Sequence, residues 1–508
     1  MEYLRLPEEL NNFFEGVMGR SLIIKGNAGT GKTIMSLSII EKIGSLDNSF
    51  YLSTRVTNEA LYSQFEWLKE KDWRSSLIDA SMDFLKSVSK SKKGAAEFKT
   101  RKSEELDKLD KARKVLKEMR SKKEVERKLP EHVSRNMLVS LEEEEKLSEI
   151  EDLYDKVEGR LPDNSFVVID SIEAIIERYG IKAKKLIKTL QKDLVEWSGV
   201  KLILISEKKE SMEWDYLVDG VVTLNEEEFK GRRSRDLYLN KLRGVRIERP
   251  SYLFSLEDGK FQYFPPIKYH TRKPMLTPNS IDENLEGLSG LYEDFYSSGS
   301  KKLDEILGGG YPKNSIVLIE VDDTVPFYGQ MNLLGLVGRN FLTKGNGILN
   351  ISSEARRPDK RDICSWFRQM VPDVGEKACQ NFKIKGTTSL EDLSEAYKEV
   401  KYFANEPILT ITNWEGVEHS VAKQEGEIPK IANGLLDLMS IHSDLNIGIV
   451  RPGLEIAQKL RNIAEVHLKL VTKYNTLLMY GEKPNTMIYN VNVKEGEEGP
   501  DVVFDPLV

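Results

Sequence analysis

The stretch Gly26-Asn27-Ala28-Gly29-Thr30-Gly31-Lys32-Thr33 constrains this chain more than any other. It meets the spacing G-x-x-x-x-G-K-[ST] of a phosphate-binding loop. Its flanks agree with that reading. Ser21 to Lys25 is a short apolar run of buried-strand type, and Ile34, Leu37 and Ile40 follow at helical spacing, with Gly44 placed to end the helix. Strand, glycine loop and helix in that order turn backbone N–H groups toward a phosphate chain and add the positive end of a helix. All eight residues of the loop are therefore expected to bind nucleotide. Lys32 would reach the β- and γ-phosphates and the Thr33 hydroxyl would bind Mg²⁺, so ATP with Mg²⁺ is the expected cofactor.

A chain of 508 residues is too long for one core, and two or three domains are expected. The formal charge of −7 speaks against a surface coated with basic residues for nucleic acid. Cys364 and Cys379 form no C-x-x-C unit, and the histidines at 132, 270, 419, 442 and 467 form no H-x-x-x-H pair. Neither a disulfide scaffold nor a histidine or cysteine metal site is expected. The N-terminus has no apolar leader segment and no apolar run reaches the roughly 20 residues that span a bilayer. A soluble, cytoplasmic protein without a membrane partner is expected.

Further along, Ser49 to Ser53 reads as a second strand, ending in Thr54-Arg55, and a helix is predicted from Asn58 to Leu68. From about Lys86 to Glu158 the chain is long, glycine-poor and charged, which predicts a helical insertion. Lys86 to Lys128 is its basic part, so nucleic acid is a conceivable partner there but not the favoured one. Phe166-Val167-Val168-Ile169-Asp170 has the form of a Walker B strand, whose Asp170 carboxylate would complete the Mg²⁺ shell with Thr33. Leu202 to Glu207 gives a fourth strand. Strands alternating with helices predict a mostly parallel sheet with helices on both faces, and Lys32, Ser53, Asp170 and Ser206 should converge at its C-terminal edge.

The segment Asp219-Gly220-Val221-Val222, the basic group Arg232, Arg233 and Arg235 (read as a loop), and Lys241-Leu242-Arg243-Gly244 complete the first half. With Walker A, Walker B and the Ile205-Ser206-Glu207 strand end, the chain resembles the KaiC-type ATPases of the RecA superfamily. Within them it is most similar to the archaeal GvpD-like group of gas-vesicle regulatory proteins. That resemblance implies that Lys241 and Arg243 act as catalytic cations on the γ-phosphate of a neighbouring subunit, which would make a homo-oligomer or another protein the partner. It also implies a regulatory output, and with no base evident at the end of the second strand ATP hydrolysis is expected to be slow. The alternatives are a RecA-family DNA-repair or recombination ATPase and a nucleotide-binding scaffold without hydrolysis. One departure stands out: KaiC-type enzymes carry glutamates at the end of the second strand, where this chain has Ser53, Thr54 and Arg55. Glu59, Glu173 and Glu207 are nearby carboxylates, and the sequence does not choose among them.

Residues 269–291, rich in Pro and Asn, read as a linker. After it Ser298 to Pro312 is similar to the lead-in of KaiC-type domains and a strand follows from Ser315 to Glu320. At the loop position stands Val321-Asp322-Asp323-Thr324-Val325-Pro326, without G-K-[ST] and with two carboxylates that would repel phosphate. Gly347 to Glu354, Pro407 to Asn413 and Leu445 to Val450 repeat the strand pattern, with Asn413 in place of the Walker B aspartate. The expected architecture is α/β, with two tandem RecA-like P-loop NTPase domains. Residues 1–268 would be the active one and 292–508 a degenerate one.

Overall fold

In the computed structural model the described residues are 6–16, 18–44, 48–54, 58–65, 77–79, 148–158, 165–210, 212–267, 294–352, 382–386, 390–421, 433–434, 436–437, 441, 445–496 and 499–508. The predicted linker and residues 86–147 of the predicted insertion lie outside them. The chain divides into two compact units. The first comprises Met1–Glu228, Ser234–Tyr263 and Val508, and the second Phe229–Arg233 and Phe264–Leu507.

The first unit runs α1 (Glu8–Phe14), β1 (Arg20–Lys25), α2 (Lys32–Ile43), β2 (Ser49–Ser53), α3 (Asn58–Gln64), β3 (Leu77–Asp79), α4 (Ser148–Glu158), β4 (Phe166–Asp170), α5 (Ile172–Tyr179) and α6 (Ala183–Leu190). A π-helical turn, Gln191–Trp197, precedes β5 (Lys201–Ser206), β6 (Gly220–Phe229), β7 (Arg232–Leu242), β8 (Ser251–Ser255) and β9 (Gln262–Phe264). These form one nine-stranded sheet in the order β3-β2-β4-β5-β1-β6-β7-β8-β9. The pairs from β3 to β6 are parallel, and the β7–β8 pair is antiparallel.

The central strands are short continuous apolar runs because both of their faces are covered. The alternation is visible in the packing. Leu22 and Ile24 of β1 join Phe166, Val168, Ile203 and Ile205 in a core under α1 and α2. Ile23 joins Val167, Ile169, Leu202 and Leu204 in a core under α4, α5 and α6. Helix α1 ends at Phe14, with Leu10, Phe13 and Phe14 buried. The turn joining β6 to β7 contains Lys230 and Gly231, both at positive φ (54° and 74°), which suits a tight hairpin. Arg232, Arg233 and Arg235 therefore stand in β7 rather than in the loop expected from their charge. A strand tolerates such residues when each finds a partner.

The second unit contains β10 (Phe295–Tyr296), α7 (Lys301–Leu307), β11 (Tyr311–Pro312), β12 (Ser315–Val321), α8 (Phe327–Thr343), β13 (Asn346–Ser352), β14 (Phe382–Gly386), α9 (Leu390–Phe403), β15 (Asn405–Asn413), α10 (Trp414–Val421), β16 (Leu445–Val450), α11 (Glu455–Ile463), β17 (Val466–Lys473), β18 (Thr476–Lys483), β19 (Tyr489–Gly496) and β20 (Gly499–Pro506). Its large sheet has the order β14-β13-β15-β16-β12-β17-β18-β19-β20. Numbering each sheet from its own first strand gives 3-2-4-5-1-6-7-8-9 in both. The expected tandem α/β architecture is what the structure shows, and the two sheets share one crossover order.

Candidate nucleotide site

The loop expected from sequence sits between β1 and α2, at the C-terminal edge of the parallel strands. Its glycines are required by geometry. Gly29 and Gly31 have φ of 79° and 92°, where a side chain is strained. A Cβ on Gly31 would come within 2.6 Å of the Leu256 side chain, and one on Gly26 within 2.6 Å of the Leu224 carbonyl oxygen. Gly31 is also the residue before α2 and offers no side chain to cap it. The first-turn N–H groups of a twelve-residue helix are thus directed at the loop.

Lys32 is buried, and its ammonium donates to the carbonyl oxygens of Gly26 (2.8 Å) and Asn27 (2.7 Å). It rests on the loop it would share with phosphate. Thr33 donates through Oγ1 to Asp170 Oδ2 at 2.7 Å, so the two expected Mg²⁺ ligands stand side by side. β2 and β4 bring Ser53 into register with Asp170, and β5 and β1 bring Ser206 into register with Lys25. The expected convergence of Lys32, Ser53, Asp170 and Ser206 at one edge is present.

Three further side chains complete this edge: Tyr51, which the sequence reading did not single out, and Thr54 and Arg235, to which it gave no place in the site. Tyr51 donates through its hydroxyl to Asp170 Oδ2 at 2.5 Å. Burial, reinforced by the Asp170 charge, raises the Tyr51 phenol well above its ordinary value, so it stays a donor. A tyrosine inside an otherwise apolar strand was the available signal, because a buried hydroxyl needs a partner. Thr54 grips the cis Asp170–Ser171 peptide from both sides. Its N–H and its Oγ1 each donate to the Asp170 carbonyl oxygen at 2.8 Å, and Oγ1 accepts from Ser171 N–H at 2.8 Å. Arg235, buried in β7, donates to the Gly29 carbonyl at 3.1 Å and pairs with Glu226 at 3.0 Å. Nothing in a three-arginine cluster foretells which one turns inward.

Lys25, which precedes the loop, is fully buried and committed to Asp215 and the Glu210 carbonyl. Lys241 and Arg243 lie at the opposite edge of the sheet. Lys241 Nζ donates to the carbonyls of Val218 (2.6 Å) and Asp215 (3.2 Å), and Arg243 pairs with Asp219 at 3.1 Å. Asp219 in turn donates its N–H to the carbonyl of Ser21, at the start of β1. Burial, and then the neighbouring Arg243 charge, lower the Lys241 ammonium below the usual lysine value. Within one chain these two cations do not join Lys32 and Asp170. Of the carboxylates near the site, the Glu59 side chain lies outside the described residues. Glu207 is half-buried, and Glu173 is buried with Ser206 Oγ donating to its Oε1 at 2.5 Å.

A glycine loop between a central parallel strand and an uncapped helix, with its lysine and a hydroxyl–carboxylate pair, defines the first unit as a P-loop domain of the NTPase type. Residues 10–90 and 133–240 match the family model described as the P-loop domain of GvpD gas vesicle protein. Two curated proteins of Halobacterium salinarum align with almost the full length. The chain is 24% identical to Protein GvpD2 over 539 aligned residues and 22% identical to Protein GvpD1 over 577. Each alignment covers 99% of this chain and 96% of the relative, so the likeness extends through both units. The protein is a GvpD-like P-loop protein. Among its described residues no helix is long and apolar enough to cross a membrane.

Proposed function

We propose that the first unit binds ATP with Mg²⁺ at Gly26–Thr33 and hydrolyses it slowly to ADP and phosphate, and that nucleotide occupancy acts as a regulatory switch. The observation that carries this reading is the Thr33–Asp170 contact at 2.7 Å beside the buried Lys32. A hydroxyl and a carboxylate on the phosphate side of the sheet are the hard oxygen donors that Mg²⁺ takes. When bound there, Mg²⁺ would neutralise charge on the β- and γ-phosphate oxygens. The backbone N–H groups of the loop and of the α2 first turn would bind the phosphates. Lys32 would turn from the Gly26 and Asn27 carbonyls to phosphate oxygen, and Tyr51 would hold the Asp170 carboxylate in place. The regulatory output follows the likeness to the gas-vesicle proteins, since a P-loop alone fixes no pathway.

Titration calorimetry with Mg-ATP tests the assignment. Lys32→Ala removes a charge-assisted contact of about 2–3 kcal/mol, so affinity should fall roughly 30- to 150-fold. Binding as tight as wild type would sink it. We further infer a role between copies of the chain for Lys241 and Arg243, because the Arg243 side chain is 59% exposed at an edge remote from the loop of its own unit. In that case turnover per chain rises with protein concentration, and Lys241→Ala abolishes the rise.

A further inference from the structure

The end of β2 carries no base: Ser53 and Thr54 are hydroxyls, and Thr54 is occupied with the Asp170–Ser171 peptide. A carboxylate is supplied from elsewhere. Glu173 follows Asp170 by three positions, in the first turn of α5, and is 5% exposed. Its Oε1 accepts from Ser206 Oγ, while its buried Oε2 meets no donor among the described residues. Ser206 ends β5 in register with Lys25, the residue before Gly26, and Asp170 pairs with Ile205 on the same strand. The Glu173 carboxylate is therefore anchored to the strand that lies between the Walker B strand and the strand feeding the loop. A buried carboxylate oxygen without a donor is costly, and such orphans mark places where a water or a reacting group belongs.

We propose that Glu173 is the catalytic base that positions and deprotonates the attacking water, a proposal that rests on the ATPase reading above. Oε2 accepts a hydrogen bond from the water, and Ser206 fixes the carboxylate through Oε1. As the water oxygen bonds to the γ-phosphorus, one of its protons passes to Oε2. The bond from the γ-phosphorus to the β–γ bridging oxygen breaks, and that oxygen leaves on ADP with the electron pair. The proton on Glu173 then returns to phosphate or solvent.

Single-turnover hydrolysis of Mg-ATP by the full chain, with calorimetry on the same samples, tests this. Glu173→Gln should keep ATP affinity within about threefold and lose roughly 10²- to 10⁴-fold in rate, the range spanned by general bases. Ser206→Ala removes the hydrogen bond that fixes the Glu173 carboxylate through Oε1, so it should also slow hydrolysis while ATP affinity stays within about threefold. A Glu173→Gln rate equal to wild type overturns the proposal while the ATPase reading stands. A Ser206→Ala rate equal to wild type also overturns it, and decides the matter if Glu173→Gln does not fold. Wild type that binds ATP without hydrolysing it removes the base and leaves the binding site. Wild type that binds no Mg-ATP removes both.

Discussion

The two sheets can be laid on each other strand by strand, and the comparison isolates what a P-loop needs beyond its fold. Lys25 of β1 stands in register with Ser206 and Thr223, and Glu320 of β12 in register with Val450 and Lys469. Six residues then lead to the helix in each case, 26–31 before Lys32 and 321–326 before Phe327. Glycines at 26, 29 and 31 are matched by Val321, Thr324 and Pro326, and the lysine by an exposed phenylalanine. Asp170 pairs with Ile205 as Asn413 pairs with Ile449. Asn413 is neutral and its side-chain oxygen accepts from Gly416 N–H at 3.2 Å, a cap for α10. The cation in the second loop comes from Arg451, which follows β16. It donates to the Asp322 carbonyl at 2.8 Å and lies 3.6 Å from the Asp323 carboxylate. The Thr324 N–H lowers the Asp322 carboxyl below the usual range, so the loop carries negative charge of its own. Apolar strands specify the sheet and leave the loop free to lose its chemistry.

The sharpest way to break this comparison is to exchange the paired residues. Asp170→Asn copies the second unit into the first and should lower turnover about 10²- to 10³-fold, the cost of removing one group that stabilises developing charge. Asn413→Asp should leave turnover unchanged. Steady-state phosphate release measures both, and a response to Asn413→Asp would show that the second loop takes part.

The fold was legible because its signals are redundant. Each central strand is an apolar run, and strands of the second sheet could be anticipated at 315–320, 407–413 and 445–450. The loop residues and Asp170 were legible because each must be that residue type for its role. The roles of Tyr51 and Arg235 were not, and for Ser206 only the strand-end position was, since what each side chain bonds depends on which neighbour the crossover order brings beside it. Glu173 was visible only as one of three carboxylates. Burial and a donor from β5 separate it from Glu207, and neither is encoded within a few residues of it. The basic cluster misled because charge favours a loop only while the side chains lack partners. Within the second unit Arg232 donates to the carbonyls of Thr486 (2.6 Å) and Gly481 (2.7 Å) and stacks 4.3 Å over Tyr480.

Glu320 sharpens the comparison at the strand end. The two units bury opposite charges in register there, Lys25 with Asp215 and Glu320 with Arg461 and His467. Burial alone would raise the Glu320 carboxyl. Hydrogen bonds from His467 and Arg461, with the Lys469 charge, outweigh it and hold it at about 2. A carboxyl depressed in the folded state contributes stability that is present above its unfolded value, near 4.3, and is lost as pH falls toward 2. Glu320→Gln should therefore cost about 2 kcal/mol at pH 7, less than the roughly 3–5 kcal/mol of breaking a fully buried pair because Arg461 is partly exposed. The difference should shrink toward pH 2, and thermal melts from pH 7 to 2 would show it. A constant difference would mean that packing, not charge, sets the effect.

In the first loop Gly31→Ala tests the backbone rather than the charge. At φ of 92° and with Leu256 within 2.6 Å of the added methyl, it should cost about 1–2 kcal/mol in stability. Pro326→Ala at the corresponding place, where φ is −67°, should stay within about 0.5 kcal/mol. Chemical denaturation followed by tryptophan fluorescence compares the two, and equal losses would remove the distinction between the loops.

The smallest effect is expected at Tyr51, and it bears most directly on how the first site is held. Tyr51→Phe keeps the ring and deletes one hydrogen bond to Asp170 Oδ2, leaving Thr33 as that oxygen's other donor. A single bond to a charged group in a buried place contributes about 1.5–3 kcal/mol, but phosphate-side water can replace part of it, so a threefold to tenfold loss of Mg-ATP affinity is expected. Because Tyr51 orients the carboxylate and touches no phosphate in this arrangement, the loss should appear with Mg²⁺ and vanish when ATP is titrated in EDTA. An equal loss under both conditions would place Tyr51 against the nucleotide itself, and the division of labour between the Asp170 support and the phosphate loop would have to be redrawn.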